Sequence, residues 1–594
     1  MIGRNGLLAL GALVVAGAFV HGCGGGSSSG GGLASTAAGV TSGGLSVVAT
    51  SPVDGEGDVD PAAALSVTFD LDVAVASVTS ASFSVLGDTG PVPVGVALVT
   101  SRVVAVTPSA PLAARSSYLL RVTQGVTGVG GEALGAEALV RFTTRPPRVP
   151  VTGGPAGSGN ASPWQGGAAE VDITPVAGVP LAGYGGGDRR RTFPDLNPFD
   201  YHTLLQPSRG VKDPVFARAL VLANATERVC IMALDAIATD ADVLADAHRK
   251  AAAQGFTVPL EKILAGASHT HSGPGAITKR TFWQLAAADL YVDRVYQAYT
   301  DGMARAMVEA ERALGPVHLG VGREALTTVT RNRRHADSPA MNPDSIDEEL
   351  LVLRVDRPDG TPVATVWNFA IHGTHFGTSN MDFSADIMGS ANAKLKLVPA
   401  GVPLFLNGCE GDIAPRGEYH ATGQALCDAV MRARGAATTT AAGALASAHE
   451  WVDFGVPTLD LSVQRLGASN SVNQPGIFQA LNAIGVGIGA SLALPRGWIE
   501  QSFRIQAIRV GDAVFTSFPG EPIHTMGLAV KQDGKAQGFT HVFAVGLANG
   551  HGAYWTTESE WHHGGYEAIA SFFGPKSGER LIDAIKRQVA RVKP

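Results

Sequence analysis

Between Leu45 and about Thr144 apolar and polar residues alternate in short runs, among them Leu65-Ser66-Val67-Thr68-Phe69, Val103-Val104-Ala105-Val106, Tyr118-Leu119-Leu120-Arg121-Val122 and Leu139-Val140-Arg141-Phe142. A period of two, broken at close intervals by turn residues, predicts half-buried β-strands. A stretch of about a hundred such residues predicts an all-β sandwich over 45–145. Residues 146–167 carry Pro146, Pro147, Pro150, Pro155 and several glycines, the composition of a linker. The pattern then changes. Apolar runs such as Ala219–Leu222 and Val229–Leu234 alternate with stretches of helical spacing at Asp242–Ala252, Leu290–Ala313 and Glu579–Val592. Such alternation predicts an α/β domain of layered mixed sheets over 168–594. No internal repeat is visible.

The first residues carry an address. Arg4, the apolar run Leu7–Val20 and the small residues leading to Gly22-Cys23 form a secretory signal over 1–23, and about 14 apolar residues fall short of the roughly 20 that span a bilayer. Val20-His21-Gly22-Cys23 resembles the bacterial lipobox, which implies lipidation of Cys23, a lipid anchor to the envelope membrane and a Gly/Ser-rich tether over 24–44. With no aspartate after Cys23, the outer membrane is the expected destination; simple secretion is the alternative.

A chain of 594 residues exceeds one compact core. Its 45% hydrophobic and 16% charged residues are those of an ordinary folded protein, while 74 glycines and 34 prolines imply many turns. A net charge of -7 provides no basic footprint, so nucleic acid is not an expected partner. Without Cys23, the remaining Cys230, Cys409 and Cys427 are odd in number, so disulfides do not frame the fold, though one bridge stays open; Cys230, in an apolar run, reads as a buried small hydrophobe.

Polar clusters stand where apolar runs end: Ser268–Pro274, Asn368–Phe376, Leu406–Arg416, Phe518–Pro522 and Tyr554–Tyr566. Strand ends are where α/β folds place their sites. His269 and His271, two apart on an extended segment, share a face, so one can ligate a metal while the other stands beside the substrate. Zinc takes three or four nitrogen or oxygen ligands, acidifies water and polarises a carbonyl, which is what amide hydrolysis needs. There is no HExxH motif, and no GxSxG in the candidate catalytic region.

The sequences AEVDITP at 169–175, LAGY at 181–184, SHTHSGP at 268–274, FAIHGT at 369–374, NGCEGDIAP at 407–415, FPGE at 518–521 and YWTTESEWHHGGY at 554–566 resemble, in that order, the neutral, non-lysosomal ceramidases. The front segment, with Ser51-Pro52, Asp58-Val59-Asp60 and Phe142-Thr143-Thr144, resembles bacterial Ig-like modules of surface proteins and reads as a spacer or adhesion unit. The ceramidase resemblance implies zinc held by His269, His372, Glu521 and Tyr554, with His271 as acid/base or transition-state stabiliser, and Arg333 and Tyr566 holding substrate or oxyanion. His375 stands as the alternative to His372, and Arg331 or Arg334 as alternatives to Arg333. Asp412 either orients a site residue or caps a turn, and Tyr184 reads as packing.

Two departures from the family are visible. The serine of its Gly-Asp-x-Ser-Pro motif, thought to take part in catalysis, is Ala414 here, so attack by a zinc-activated water is the preferred reading. The family's C-terminal β-domain is not expected, because the chain stops about 28 residues after Tyr566, which puts specificity for ceramide itself in doubt. The apolar, glycine-rich Phe478–Pro495 reads as an acyl-binding surface or a buried helix. The expected activity is zinc-dependent hydrolysis of an N-acyl amide, of ceramide or a related lipid. A metal-dependent amidase or esterase on another acylated substrate, and a catalytically silent surface-binding lipoprotein, are the alternatives.

Overall fold

The computed structural model describes residues 44–52, 56–59, 61–87, 90–113, 116–144, 161–460, 491–495 and 497–594. The signal and lipidation site, nearly all of the tether, and Phe478–Ala490 of the apolar segment lie outside the described residues.

The alternation read at the front builds two sheets. One is ordered Val47–Ser51, Leu65–Phe69, Val103–Pro108, Val94–Thr100; the other Glu56–Val59, Ala138–Thr144, Ser117–Val122, Phe83–Gly87, Gly90–Val92. Every second residue points inward. Leu65, Val67, Phe69, Val104 and Val106 of one sheet share a core with Phe83, Val85, Leu120, Val122, Val140 and Phe142 of the other, the arrangement of a sandwich.

The larger unit begins earlier than its composition suggests. Strand Gln165–Asp172 starts inside the stretch read as linker and pairs along its whole length with Phe216–Ala223; two small glycines and an alanine let it pack where their composition alone read as linker.

Three sheets follow, each built on the same frame of three strands in antiparallel succession, a helix, and a fourth strand parallel to the third; the first sheet adds the short edge strand Gly315–Pro316 beside Gln165–Asp172. In the first, Gln165–Asp172, Phe216–Ala223 and Arg228–Leu234 are followed by helix Ala241–Ala252 and strand Ile263–Ala267. In the second, His318–Ala325, Glu349–Asp356 and Pro362–Phe369 precede helix Asp386–Leu395 and strand Val402–Asn407. In the third, Leu445–Asp453, Ser502–Val510 and Ala513–Ser517 precede helix His524–Ala536 and strand His541–Val545. The parallel pair requires the helical crossover. This recurrence is one of topology and hydrogen bonding, which many side-chain sequences satisfy, so no repeat shows in the sequence.

The three sheets share one core. Leu220, Leu222, Ile231 and Leu264 of the first meet Leu351, Leu353, Val366 and Leu404 of the second and Ile508, Val510, Phe515 and Phe543 of the third. Alternate residues face outward onto helices: Ala217, Ala219 and Val221 lie in a core with Val243, Leu244 and Met303, Leu350 and Val352 with Ile387 and Leu426, and Ile505 and Ala507 with Met526 and Leu581. Strands buried on both faces explain the unbroken apolar runs. Cys230, Cys409 and Cys427 are all buried and unbridged.

A candidate metal centre at the strand ends

In each sheet the parallel pair ends on the same side, and the loops leaving those ends are the polar clusters. Short pairings stitch them to one another. Thr270 bridges Gly373, Gly266 bridges Ala548, and Glu521-Pro522 runs parallel to Tyr554-Trp555. Asn407 is fully buried; its amide donates to the carbonyls of Ser268 at 3.0 Å and Ile371 at 2.9 Å, while its oxygen accepts the Ile371 N–H at 3.1 Å. One side chain thus ties the first two histidine clusters together. Several residues here adopt positive φ without being glycine: His269 (64°), Leu547 (51°), Asn549 (63°) and Ala553 (65°). Such conformations are uncommon outside glycine and collect at functional sites.

His269 and His372 are buried, and each ring is fixed by its far nitrogen. Nδ1 of His269 donates to the Ile237 carbonyl at 2.8 Å, and Nδ1 of His372 donates to the Glu410 carbonyl at 2.8 Å. A carbonyl only accepts, so in the neutral ring the hydrogen sits on Nδ1 and the Nε2 lone pair is left facing inward. Burial, with Arg333 nearby, pushes the His372 imidazole down to about 3, which keeps it neutral. Glu521 Oε2 lies 3.1 Å from His269 Nε2 and 3.3 Å from His372 Nε2 and accepts no hydrogen bond. With both rings neutral, three acceptor lone pairs therefore converge and none of the three groups brings a hydrogen to share, an arrangement that suits a cation.

The hydroxyl of Tyr554 is 3.4 Å from His372 Nε2 and accepts from Arg333 Nη2 at 2.9 Å. His271 Nε2 is 3.2 Å from His269 Nε2, and its ring rests on Tyr184 at 4.5 Å between centroids. Burial, then His269 and His372, hold the His271 imidazole well below its usual range. Donor atoms of His269, His271 and His372 lie within 4.8 Å of one another, as do those of His269, Glu410 and Glu521.

Arg333 also donates from Nε to Glu567 at 2.9 Å and from Nη2 to the Gly411 carbonyl at 2.8 Å, and lies 5.6 Å from the centroid of Tyr566. Its neighbour Arg334 is turned away, fully buried in ion pairs with Glu560 and Glu567, while Arg331 is carried in the short strand paired with Ala414. His375 packs on Phe376 and Tyr419 and takes no part in the cluster. Asp412 does more than cap a turn: its carboxylate accepts from Asn332 at 2.8 Å and from the His524 ring at 2.6 Å, and its carbonyl accepts the Arg333 N–H at 2.8 Å. Ala414 follows Ile413, whose carbonyl accepts the His372 N–H at 3.0 Å.

The centre lies at the wall of a pocket that opens to solvent, lined by His269, His271, Glu521, Tyr554 and Tyr566 and, away from them, by Ile237, Val243, Ile277, Trp283, Ala286, Ala287 and Tyr299.

A family model for the neutral/alkaline non-lysosomal ceramidases, in its N-terminal part, matches residues 167–398 and 410–583. The chain belongs to that family. It is 23% identical to the neutral ceramidase of Pseudomonas aeruginosa over 66% of this chain and 69% of that one, and 21% identical to neutral ceramidase A of Dictyostelium discoideum over 53% and 58% respectively. The crystal structure of the Pseudomonas aeruginosa enzyme superposes with a TM-score of 0.61, 21% identity, and coverage of 72% of this chain and 74% of that one, so the fold is the same. Residues 42–144 match a bacterial Ig-like domain.

Three polar side chains of this ceramidase-family chain escaped the sequence reading. Glu410 stood in a quoted motif without a role. His551 lines the cavity, its Nε2 3.9 Å from Glu521 Oε1, and its signal was only a histidine between two glycines. Glu500 is buried beneath it, accepting the N–H of Ala241 at 2.7 Å and of His551 at 3.2 Å. Burial, then Asp240, pushes the Glu500 carboxyl up to about 8, against an ordinary 4.5. The folded chain thus holds a proton there that the unfolded chain has lost, and stability falls as pH rises from about 4.5 to about 8, then levels. Glu500→Gln is expected to flatten that fall in Tm, measured by thermal unfolding across the window; an unchanged slope would rule it out.

Proposed function

We propose that this chain is a zinc-dependent hydrolase of the amide bond of N-acyl lipids, ceramide or a close relative. The convergence of His269 Nε2, His372 Nε2 and Glu521 Oε2 beside an apolar cavity, in a ceramidase-family chain, carries the reading. Two imidazoles, a carboxylate and the Tyr554 phenol are a donor set that suits zinc. The metal would supply Lewis-acid polarisation of the scissile carbonyl and an acidified water.

The rest falls to the chain's own side chains. The apolar cavity takes the acyl chain or sphingoid tail and keeps bulk water from the amide. Arg333, fixed by Glu567 and Gly411, brings positive charge against Tyr554 and Tyr566, where the carbonyl oxygen gains negative charge as water adds to carbon. His271, in contact with His269, is placed to carry a proton at Nε2 to the departing amine nitrogen as the C–N bond breaks. With a methyl at Ala414 there is no hydroxyl at that position to form an acyl-enzyme.

A lipid substrate is further supported by the segment that leaves the cavity wall at Gly185. It exposes Phe193, Leu196 and Phe199 at 79%, 85% and 79%. Its base is held rigid by the Asp289 carboxylate, which accepts the N–H groups of Thr203, Leu204 and Leu205.

The test is product analysis with labelled N-acyl sphingosines of short and long chain, set beside a matched ester and a water-soluble N-acyl amino acid. Release of fatty acid and sphingoid base from the first set supports the proposal. Turnover confined to the ester or the amino acid moves the substrate class, and turnover of none contradicts the enzyme reading.

A further inference from the structure

Glu410 is fully buried, and neither of its carboxylate oxygens has a hydrogen-bond partner. Among the described residues no basic side chain forms an ion pair with it. An unpaired buried carboxylate costs several kcal/mol, roughly enough to remove much of a domain's net stability, so something neutralises it.

A proton is one answer, since burial and the neighbouring Glu521 carboxylate push the Glu410 carboxyl well above its usual range, but it leaves the other oxygen without a donor. A cation is a better one. A donor oxygen of Glu410, a donor oxygen of Glu521 and a ring nitrogen of His269 all lie within 4.8 Å of one another, and ligands each about 2 Å from one ion stand about 3–4 Å apart. The space is kept open by Gly546, where an added Cβ would sit 2.7 Å from Glu410 Oε2. Glu410 also reaches the centre through its backbone, since its carbonyl orients the His372 ring.

We propose that Glu410 supplies a second carboxylate to the metal centre, a ligand beyond His269, His372, Glu521 and Tyr554. The inference rests on the metal-centre reading above. It also ascribes a meaning to a departure in the sequence: the loop that lacks the serine hydroxyl at Ala414 brings a carboxylate four positions earlier. An added anion lowers the net charge of the site and binds the ion more tightly.

Glu410→Gln preserves shape and removes the charge. Zinc affinity is measured for purified wild type and variant by competition with a chromophoric chelator, and the visible bands of the cobalt-substituted proteins are compared. The expected result is an affinity loss of at least about tenfold with altered cobalt bands. Equal affinity and identical bands overturn the proposal, because glutamine mimics a protonated glutamate. Should the variant not fold, a zinc-soaked crystal of the wild type decides: an oxygen of Glu410 about 2 Å from the anomalous peak supports it, and a Glu410 turned to other partners overturns it. A wild type that binds no zinc at all removes the metal-centre reading itself, an outcome distinct from a wild type that binds while the variant binds equally.

Discussion

His269→Ala is expected to lower amide hydrolysis by about a thousandfold or more, which corresponds to about 4 kcal/mol of barrier, while the folded structure persists. The loss is large because the substitution removes a donor from a centre in which the remaining groups are acceptors facing one another. Without His269, the carboxylate of Glu521 keeps the His372 imidazole at 3.3 Å and the more distant His551 at 3.9 Å, and the ion it would share with two rings is held by fewer donors. Metal content, measured on the same preparation, is expected to fall with the activity. A variant that keeps its activity would show that this histidine is a buried polar residue and nothing more.

Arg333→Ala is expected to lower kcat by about a hundredfold or more with a smaller change in KM, the pattern of a group that meets charge developing in the transition state. Its guanidinium is held between Glu567 and Gly411 and donates to the Tyr554 hydroxyl. Arg333→Lys retains the charge without the planar fork, so it is expected to recover part of the rate and not all of it. The control is Arg334, which is fully buried in its pairs with Glu560 and Glu567. Replacing it by methionine is a change in stability, visible in the unfolding transition. An equal kcat loss from both, at unchanged stability, would assign the oxyanion role to neither in particular.

The two-domain division and the strands and long helices could be read from periodicity, because the core imposes it: Leu65, Val67 and Phe69 alternate inward, and strands such as Phe216–Ala223, covered on both faces, read as unbroken apolar runs. The polar clusters were legible for a similar reason, since a charged or histidine-rich stretch directly after such a run belongs at a strand end. What periodicity does not carry is which strand ends meet. Thr270 against Gly373, Glu521 beside Tyr554 and the Asn407 side chain spanning two loops are contacts between segments separated by tens to hundreds of residues. The threefold recurrence of the sheets was hidden likewise, being a matter of hydrogen-bond topology. Glu410 shows the limit most clearly. In the sequence it is an acid in a turn between glycine-rich neighbours; only the packing around it reveals that both its oxygens are buried without partners.

Fatty-acid release from ceramide is measured with chelator-stripped protein as zinc is added back, with bound metal determined in each sample. The expected result is no release from stripped protein and activity rising in proportion to bound zinc until the centre is filled. Full activity in protein shown to hold no metal would contradict it.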